Sequence, residues 1–350
     1  MSSNSSNSVW LVIDSLTFGG IETHVLELAK GLKQFNTPLK VWFVRRYDSP
    51  SQLAHKLEAN QIDFGYLSDG GESYFSNLLS QIKTHKPAVL HSHGYKASIV
   101  SKLAKLLTGV RQVSTYHAGE SPKGIVAIYD ALDRYSSFIS NSSISVSDKI
   151  ASKILTRSEV FNNFVDNQNT KPSFGKQIAF VGRLSEEKAP DRILELAQLN
   201  QTLSFNIYGD GPMLASLTSS APSNVTFHGH QTDMPSVWSN IGLLIICSRY
   251  EGLPMTALEA MARGIPVLSL DVGNMSKLIV HGNNGYIAAS MVELNQQLTE
   301  IVSLSSEQQS QLRERARTTI NNHYSIKAVI PDLLSLYFPS RPQTDSQIEK

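Results

Sequence analysis

The apolar run Leu243-Leu244-Ile245-Ile246-Cys247, followed within a few residues by Gly252 and Pro254, limits how this chain can fold more than any other feature. A run without polar alternation reads as a strand buried on both faces, as in parallel sheets covered by helices. Gly252 and Pro254 mark a tight turn, and Pro254 suits a first helical turn, where its missing N–H costs nothing. Leu258, Met261 and Ala262 then fall on one helical face. Gly264 stops that helix, and Pro266 opens a strand over Val267-Leu268-Ser269-Leu270.

A strand-to-helix turn presents unpaired backbone N–H groups and the positive end of the helix dipole, where a phosphate can dock. Glu251 stands just before the turn, at the carboxyl end of a strand, where open α/β sheets bind ligands. Glu259 follows about two helical turns further on. Together the carboxylates can reach both ends of an elongated polar ligand. Taken singly, Glu259 reads as a solvated helix residue and Glu251 as a favourable charge near a helix N-terminus. The pair, framed by Gly252, Leu258, Gly264 and Pro266, points to binding instead.

This stretch resembles the Glu-(seven residues)-Glu motif of the family-4 glycosyltransferases, retaining enzymes with two facing Rossmann-like domains. The resemblance implies an α/β fold of GT-B type: two doubly wound parallel-sheet domains, with a C-terminal helix crossing back to the first. Further matches run along the chain. Gly19-Gly20-Ile21-Glu22 is similar to the Gly-Gly-x-Glu that opens the first helix beside the donor phosphates. Thr115-Tyr116-His117 reproduces the setting of the family's active-site histidine, which lies against the donor sugar. Gly182-Arg183-Leu184 and Lys188 match Gly-Arg-Leu…Lys-Gly, with Ala189 in place of the glycine. Gly209-Asp210-Gly211-Pro212 resembles a turn near the nucleotide, and Asn162-Asn163-Phe164-Val165-Asp166 the interdomain Asn-Gly-Val-Asp. Phe164 replaces the glycine there, which implies a stiffer hinge. Cys247 stands for a common proline, and Lys277 stands where relatives often carry glutamate.

The 350 residues suffice for two domains with separate cores. The organisation expected is a tail over 1–8, an acceptor-side domain over 9–166 and a linker over 167–175. A nucleotide-sugar domain over 176–322, a crossover helix over 323–339 and a second tail over 340–350 complete it. Leu294 to Thr318 reads as polar and helical. A net charge of +1 gives no general case for nucleic acid, and a single cysteine excludes an intrachain disulfide. The N-terminus lacks the charged start and apolar core of a signal peptide, and no run approaches about 20 apolar residues. The expected location is the cytoplasm, with peripheral contact at the inner membrane face a further expectation.

Strand and helix alternate through the first half, as in a doubly wound sheet. No Gly-x-Gly-x-x-Gly occurs at Gly19-Gly20, which disfavours a dehydrogenase. His91 and His93 follow a strand taken as Val89-Leu90 and read as polar lining of the cleft, because no nearby Cys or His completes a metal set. Tyr95 to Leu107 reads as an amphipathic helix with Ile99, Val100, Leu103, Leu106 and Leu107 inward. Its lysines, Lys96, Lys102 and Lys105, and the following Arg111 read first as a solvated basic face, and second as a surface for anionic membrane.

The function implied is transfer of a hexose-type sugar from a nucleotide-diphosphate sugar, UDP favoured and GDP possible, with retention. The acceptor is a hydroxyl of a glycan or lipid-linked molecule in cell-surface polysaccharide synthesis. Arg183 and Lys188 converge on the diphosphate with the N–H groups near Gly252 and Leu253. Glu251 holds sugar hydroxyls, Glu259 the ribose diol, and His117 hydrogen-bonds the sugar, while Gly19, Gly20 and Gly209 lie along the donor. No Asp-x-Asp triplet occurs, so neither a metal nor a cofactor is expected. Alternatives are a glycoside phosphorylase or hydrolase using two carboxylates, and a nucleotide-sugar-binding protein without turnover.

Overall fold

The computed structural model describes residues 7–15, 18–47, 51–71, 73–117, 124–168 and 170–339. The two expected tails lie outside them, except for Asn7 and Ser8; Ser8 accepts a hydrogen bond from the Ala88 amide at 2.9 Å.

The first half contains β1 (Val9–Ile13), α1 (Gly20–Gln34), β2 (Leu39–Phe43), α2 (Gln52–Ala59), β3 (Phe64–Tyr66), α3 (Tyr74–His85) and β4 (Val89–His93). It continues with α4 (Tyr95–Thr108), β5 (Arg111–Tyr116), α5 (Ile125–Tyr135), β6 (Ser142–Ser145), α6 (Asp148–Ala151) and β7 (Ser158–Val160). The second half runs β8 (Gln177–Val181), α7 (Asp191–Leu199), β9 (Phe205–Tyr208), α8 (Leu214–Ser220), β10 (Val225–Gly229), α9 (Met234–Asn240) and β11 (Ile241–Ile246). There follow α10 (Met255–Ala262), β12 (Val267–Leu270), α11 (Met275–Leu278), β13 (Tyr286–Ala288), α12 (Met291–Ser303), α13 (Ser306–His323) and α14 (Ile326–Tyr337).

These strands form two parallel sheets, ordered β3-β2-β1-β4-β5-β6-β7 and β10-β9-β8-β11-β12-β13. Each sheet reverses its winding direction once, between β1 and β4 and between β8 and β11. At such a reversal the crossing helices diverge and leave a crevice at the carboxyl ends of the strands. The apolar run from Leu243 supplies most of β11, the inner strand of that second reversal, with Leu244 fully buried and Leu243, Ile245 and Ile246 nearly so.

Helix α14 returns to the first lobe. Ile326, Val329, Ile330, Leu333 and Tyr337 join the core that holds Leu28 and Leu32 of α1. Gly31 permits this approach, since a Cβ there would stand 2.6 Å from Ile330 Cδ1. Phe164 and Val165 are adjacent in sequence but belong to opposite lobes: Phe164 packs in the first-lobe core and Val165 in a second-lobe core.

The polar helical stretch over Leu294 to Thr318 divides into α12 and α13, because Ser305 caps a new start and Gln308 bonds back to the Ser305 amide. One expectation needs correction. In α4 the inward face is Ala97, Ser98, Val100, Ser101, Lys102 and Ala104, while Leu103, Leu106 and Leu107 are exposed. Small side chains let this helix lie close to the sheet, so its large apolar residues face outward beside α5. Among the described residues no helix is long and apolar enough to cross a membrane.

Candidate active site

The loop after β8 carries Arg183 and Lys188, and the turn after β11 carries Glu251. Backbone hydrogen bonds sew them together, from the Arg249 amide to the Glu187 carbonyl at 2.8 Å and from the Tyr250 amide to the same oxygen at 3.3 Å. Arg249 reinforces this by gripping both oxygens of Asp191 at 3.0 and 2.6 Å, a bidentate pair of the kind guanidinium geometry favours. Held this way, Lys188 Nζ reaches Glu251 Oε1 at 2.6 Å, and the Ser248 hydroxyl donates to the same oxygen at 2.8 Å. The Glu251 side chain is only 8% exposed, so both partners offset the cost of burying its charge. Arg183, on the same loop as Lys188, is exposed.

A turn follows Glu251. Gly252 and Leu253 precede α10, whose N-cap, Pro254, makes no side-chain capping bond. Their carbonyls are taken, Gly252 O by the Asn274 amide at 2.7 Å and Leu253 O by Asn163 Nδ2 at 2.7 Å. Among the described hydrogen bonds their N–H groups donate to nothing. Gly273 allows the close contact, since at φ +59° a Cβ would stand 2.1 Å from Gly252 O. Glu259 lies further along α10, half-buried. Burial pushes its carboxyl up to about 7, with Glu27 of α1 adding to the shift and Arg263 opposing it.

Gly19 caps α1 in extended backbone, its amide donating to Glu22 Oε2 at 2.9 Å, and a Cβ at Gly20 would meet nothing. Both glycines edge the crevice of the first reversal. Gly209 has a packing reason of its own: at φ +139° its Cβ position lies 1.9 Å from Gly182 O, so this turn braces the Arg183 loop.

His117 ends β5 and is half-buried. Its Nε2 lies 3.1 Å from His93 Nδ1, and its ring centroid 4.8 Å edge-on from that of His24. Burial pushes His24 down to about 4 and holds His91, His93 and His117 well below the usual histidine value, with neighbouring imidazoles adding to it. The imidazoles gathered at the carboxyl ends of the first-lobe strands are therefore uncharged at neutral pH.

Here the histidine reading needs correction. His91 and His93 lie inside β4, not beyond it, and are 1% and 0% exposed. His91 does not line the cleft; its nitrogens meet the Tyr337 hydroxyl at 2.5 Å and Thr115 Oγ1 at 2.6 Å, which ties α14 to the sheet. The expectation that nothing completes a set with His93 also fails, since α1 delivers His24 and β5 delivers His117.

The comparisons with known proteins fall on this framework. Residues 18–168 match the model described as Glycosyltransferase Family 4, and residues 162–319 the model described as Glycosyl transferases group 1. The chain belongs to the family-4 glycosyltransferases. It is similar to the O-antigen biosynthesis glycosyltransferase WbnH of Escherichia coli, 22% identical over 338 residues, 91% of this chain and 97% of that one. It is also similar to the poly(ribitol-phosphate) alpha-N-acetylglucosaminyltransferase of Staphylococcus aureus, 25% identical over 190 residues; that match spans 50% of this chain and 38% of the relative. The solved structure of Anabaena Alr3699/HepE in complex with UDP-glucose superposes with a TM-score of 0.82 at 16% identity, covering 96% of this chain and 100% of that one. The fold of this glycosyltransferase is GT-B.

Several departures from the family pattern now have structural explanations. Ala189 is fully buried with φ +52°, a left-handed conformation that explains why glycine is usual there. Lys277 pairs across the cleft edge with Asp148 of α6, and Asn274 Nδ2 reaches the Val146 carbonyl at 3.5 Å nearby. Phe164 packs edge-on against His24 with ring centroids 5.7 Å apart, so the residue replacing the hinge glycine helps wall the first-lobe site.

Sequence reasoning missed Arg249, Asp191, Asn163 and His24. The first two stood in plain view beside the motifs, but their pairing depends on the loop path. Asn163 joins the lobes, its Oδ1 meeting His24 Nδ1 at 3.0 Å while its amide holds Leu253 O. Only its place in the interdomain motif hinted at this. The basic reading of α4 also changes: Lys96 pairs with Asp14 at 3.0 Å, and Lys102 is 1% exposed and pairs with Asp133 at 2.6 Å. Lys105 donates to the Ile139 carbonyl and Arg111 to that of Leu336. These cations are committed inside the first lobe rather than solvated.

Proposed function

We propose that this glycosyltransferase moves a hexose-type sugar from a UDP-sugar, with retention of anomeric configuration, to a hydroxyl of a glycan or lipid-linked acceptor. The observation that carries the proposal is the Lys188–Glu251–Ser248 cluster at the second sheet reversal, beside exposed Arg183 and the open amides of Gly252 and Leu253. Lys188 neutralises Glu251. When a donor binds, the diphosphate draws Lys188 and Arg183, and the Glu251 carboxylate is freed to hold sugar hydroxyls. Preorganised charges and amides then stabilise the departing diphosphate without solvent reorganisation. Glu259 accepts from the ribose diol, and His117, uncharged, hydrogen-bonds the sugar rather than acting as a general base. No metal is required, because protein cations and amides fill that role.

In this reading residues 9–166 receive the acceptor and 176–322 the nucleotide sugar. UDP is favoured because the similar HepE fold was solved with UDP-glucose. The names of the two curated relatives, concerned with O-antigen and poly(ribitol-phosphate), support a cell-surface polymer as the setting. Peripheral membrane contact through 95–111 is retained with changed chemistry. Exposed Leu103, Leu106 and Leu107, beside Ile128, Tyr129 and Leu132 of α5, make it apolar rather than basic. Flotation with neutral vesicles as efficient as with anionic ones is the expected result.

The central test is Glu251→Gln assayed with UDP-glucose and a panel of acceptors in EDTA, with the product's anomeric configuration read by NMR. Transfer falls at least about 100-fold while UDP still raises the melting temperature. Unchanged transfer removes Glu251 from its role, and an inverted product removes the retaining mechanism.

A further inference from the structure

We propose that His24, His93 and His117 form a binding site for a borderline divalent transition-metal ion of the zinc class on the first-lobe side of the cleft, and that occupancy inhibits sugar transfer by engaging His117. Binding stands on geometry alone; the inhibition rests on the role given to His117 above.

The three side chains come from α1, β4 and the end of β5, and their ligand atoms all lie within 4.8 Å of one another. Nδ1 of His93 is 3.1 Å from Nε2 of His117. Two imidazole ligands of one tetrahedral zinc stand about 3.3 Å apart when each Zn–N bond is about 2.0 Å. That pair is therefore nearly in place, and a small rotation of His24 closes the set.

The surroundings also suit a metal. Asn163 Nδ2 donates to Leu253 O, which fixes the amide so that Oδ1 faces His24 Nδ1 at 3.0 Å. His24 Nδ1 must then carry the proton, leaving Nε2 with its lone pair, as the outer-shell acceptors of metal-bound histidines do. With Nδ1 of the fully buried His93 turned to His117, its Nε2 carries the proton and has no hydrogen-bond partner among the described residues, so this ring lacks the outer-shell acceptor that His24 has. His91 is nearby but excluded, because both its nitrogens are bonded elsewhere. Three protein nitrogens leave the fourth tetrahedral position for water or another ligand. His117, half-buried at the strand end, keeps the set in reach of the cleft.

The test uses tag-free, metal-stripped full chain titrated with Co2+, whose tetrahedral complexes absorb strongly in the visible. A band saturating at one ion per chain and abolished by Zn2+ is expected. His24→Gln and His117→Gln each weaken Zn2+ binding at least about tenfold, while exposed His323→Gln leaves it unchanged. X-ray absorption on the zinc-loaded wild type counts three imidazoles, independently of any variant's folding. Absence of a stoichiometric band, fewer than three imidazoles, or unaltered affinity in both variants overturns the site. Zn2+ should also suppress sugar transfer, with EDTA restoring it. Stoichiometric binding with undiminished transfer overturns the inhibition alone and leaves the donor-side reading standing.

Discussion

On the second-lobe side, the cleft is lined by charge: Lys188 on Glu251, Arg249 on Asp191, and exposed Arg183, all carried by two loops that neighbouring strands place together. Behind its first-lobe side lie uncharged imidazoles gathered from elements up to 93 residues apart, His24 to His117, with only His117 partly exposed; they pack against Phe164 and are tied to the other lobe through Asn163. The contrast has a physical origin. In the proposed reading the cations meet a diphosphate, and pairing at a strand end holds them in place until it arrives. The rings of the first lobe are kept neutral by desolvation without any counter-charge.

The sharpest break of this contrast is Lys188→Ala. It removes a cation from the charged half and leaves the Glu251 carboxylate, mostly buried, with Ser248 alone. A loss of about 100- to 1,000-fold in kcat/KM is expected, together with a lower melting temperature, because Glu251 loses the cation that offsets its burial. An effect below tenfold would mean that Arg183 and the amides carry the diphosphate without it.

A smaller effect tests where the charged half becomes pH-sensitive. Glu259 has its carboxyl raised to about 7 by burial, so it gains its charge as pH rises through neutrality. If only the carboxylate holds the ribose diol, UDP-glucose affinity rises about tenfold from pH 6 to pH 8, and Glu259→Gln abolishes the slope. The linked stability effect has the opposite sense. Because the folded value lies above the unfolded one, this residue favours the folded state most below about pH 4.5 and loses that contribution as pH rises through 7. Isothermal titration and urea unfolding across this range read the two separately.

Ala189 tests the scaffold of the charged loop. Glycine relieves the left-handed backbone, and Ala189→Gly should stabilise the protein by no more than about 1 kcal/mol, its larger unfolded-state entropy offsetting part of the relief. Destabilisation in a urea melt would show that the buried methyl packs more favourably than the strain costs. The smallest effect belongs to the cleft edge. Lys277 and Asp148 are both more than half exposed, so Lys277→Ala should change stability by less than about 1 kcal/mol. Its effect should instead appear as a wider cleft in small-angle scattering of the unliganded protein.

Much of the second-lobe half was legible in the sequence, because its parts are local. A buried strand ends in Ser248, a turn follows, and a helix begins; the strand-end rule then places Glu251, Gly252 and Leu253 without further information. Arg183 and Lys188 sit after a strand that β11 must neighbour. The α4 helix shows the opposite case. Its leucines read as core, yet Ala97, Ser101 and Ala104 decide the buried face, because close approach to a sheet rewards small side chains over large ones.

The sequence by itself determined the alternation of buried strands and helices, the turn before α10 and the spacing of Glu251 and Glu259, since each depends on interactions within a few residues of chain. Tertiary structure alone decided that His24 meets His93 and His117, that Asn163 joins the lobes, and that the lysines of α4 turn inward. Those outcomes depend on which elements become neighbours and on how desolvation acts once they have, and neither is written in local spacing.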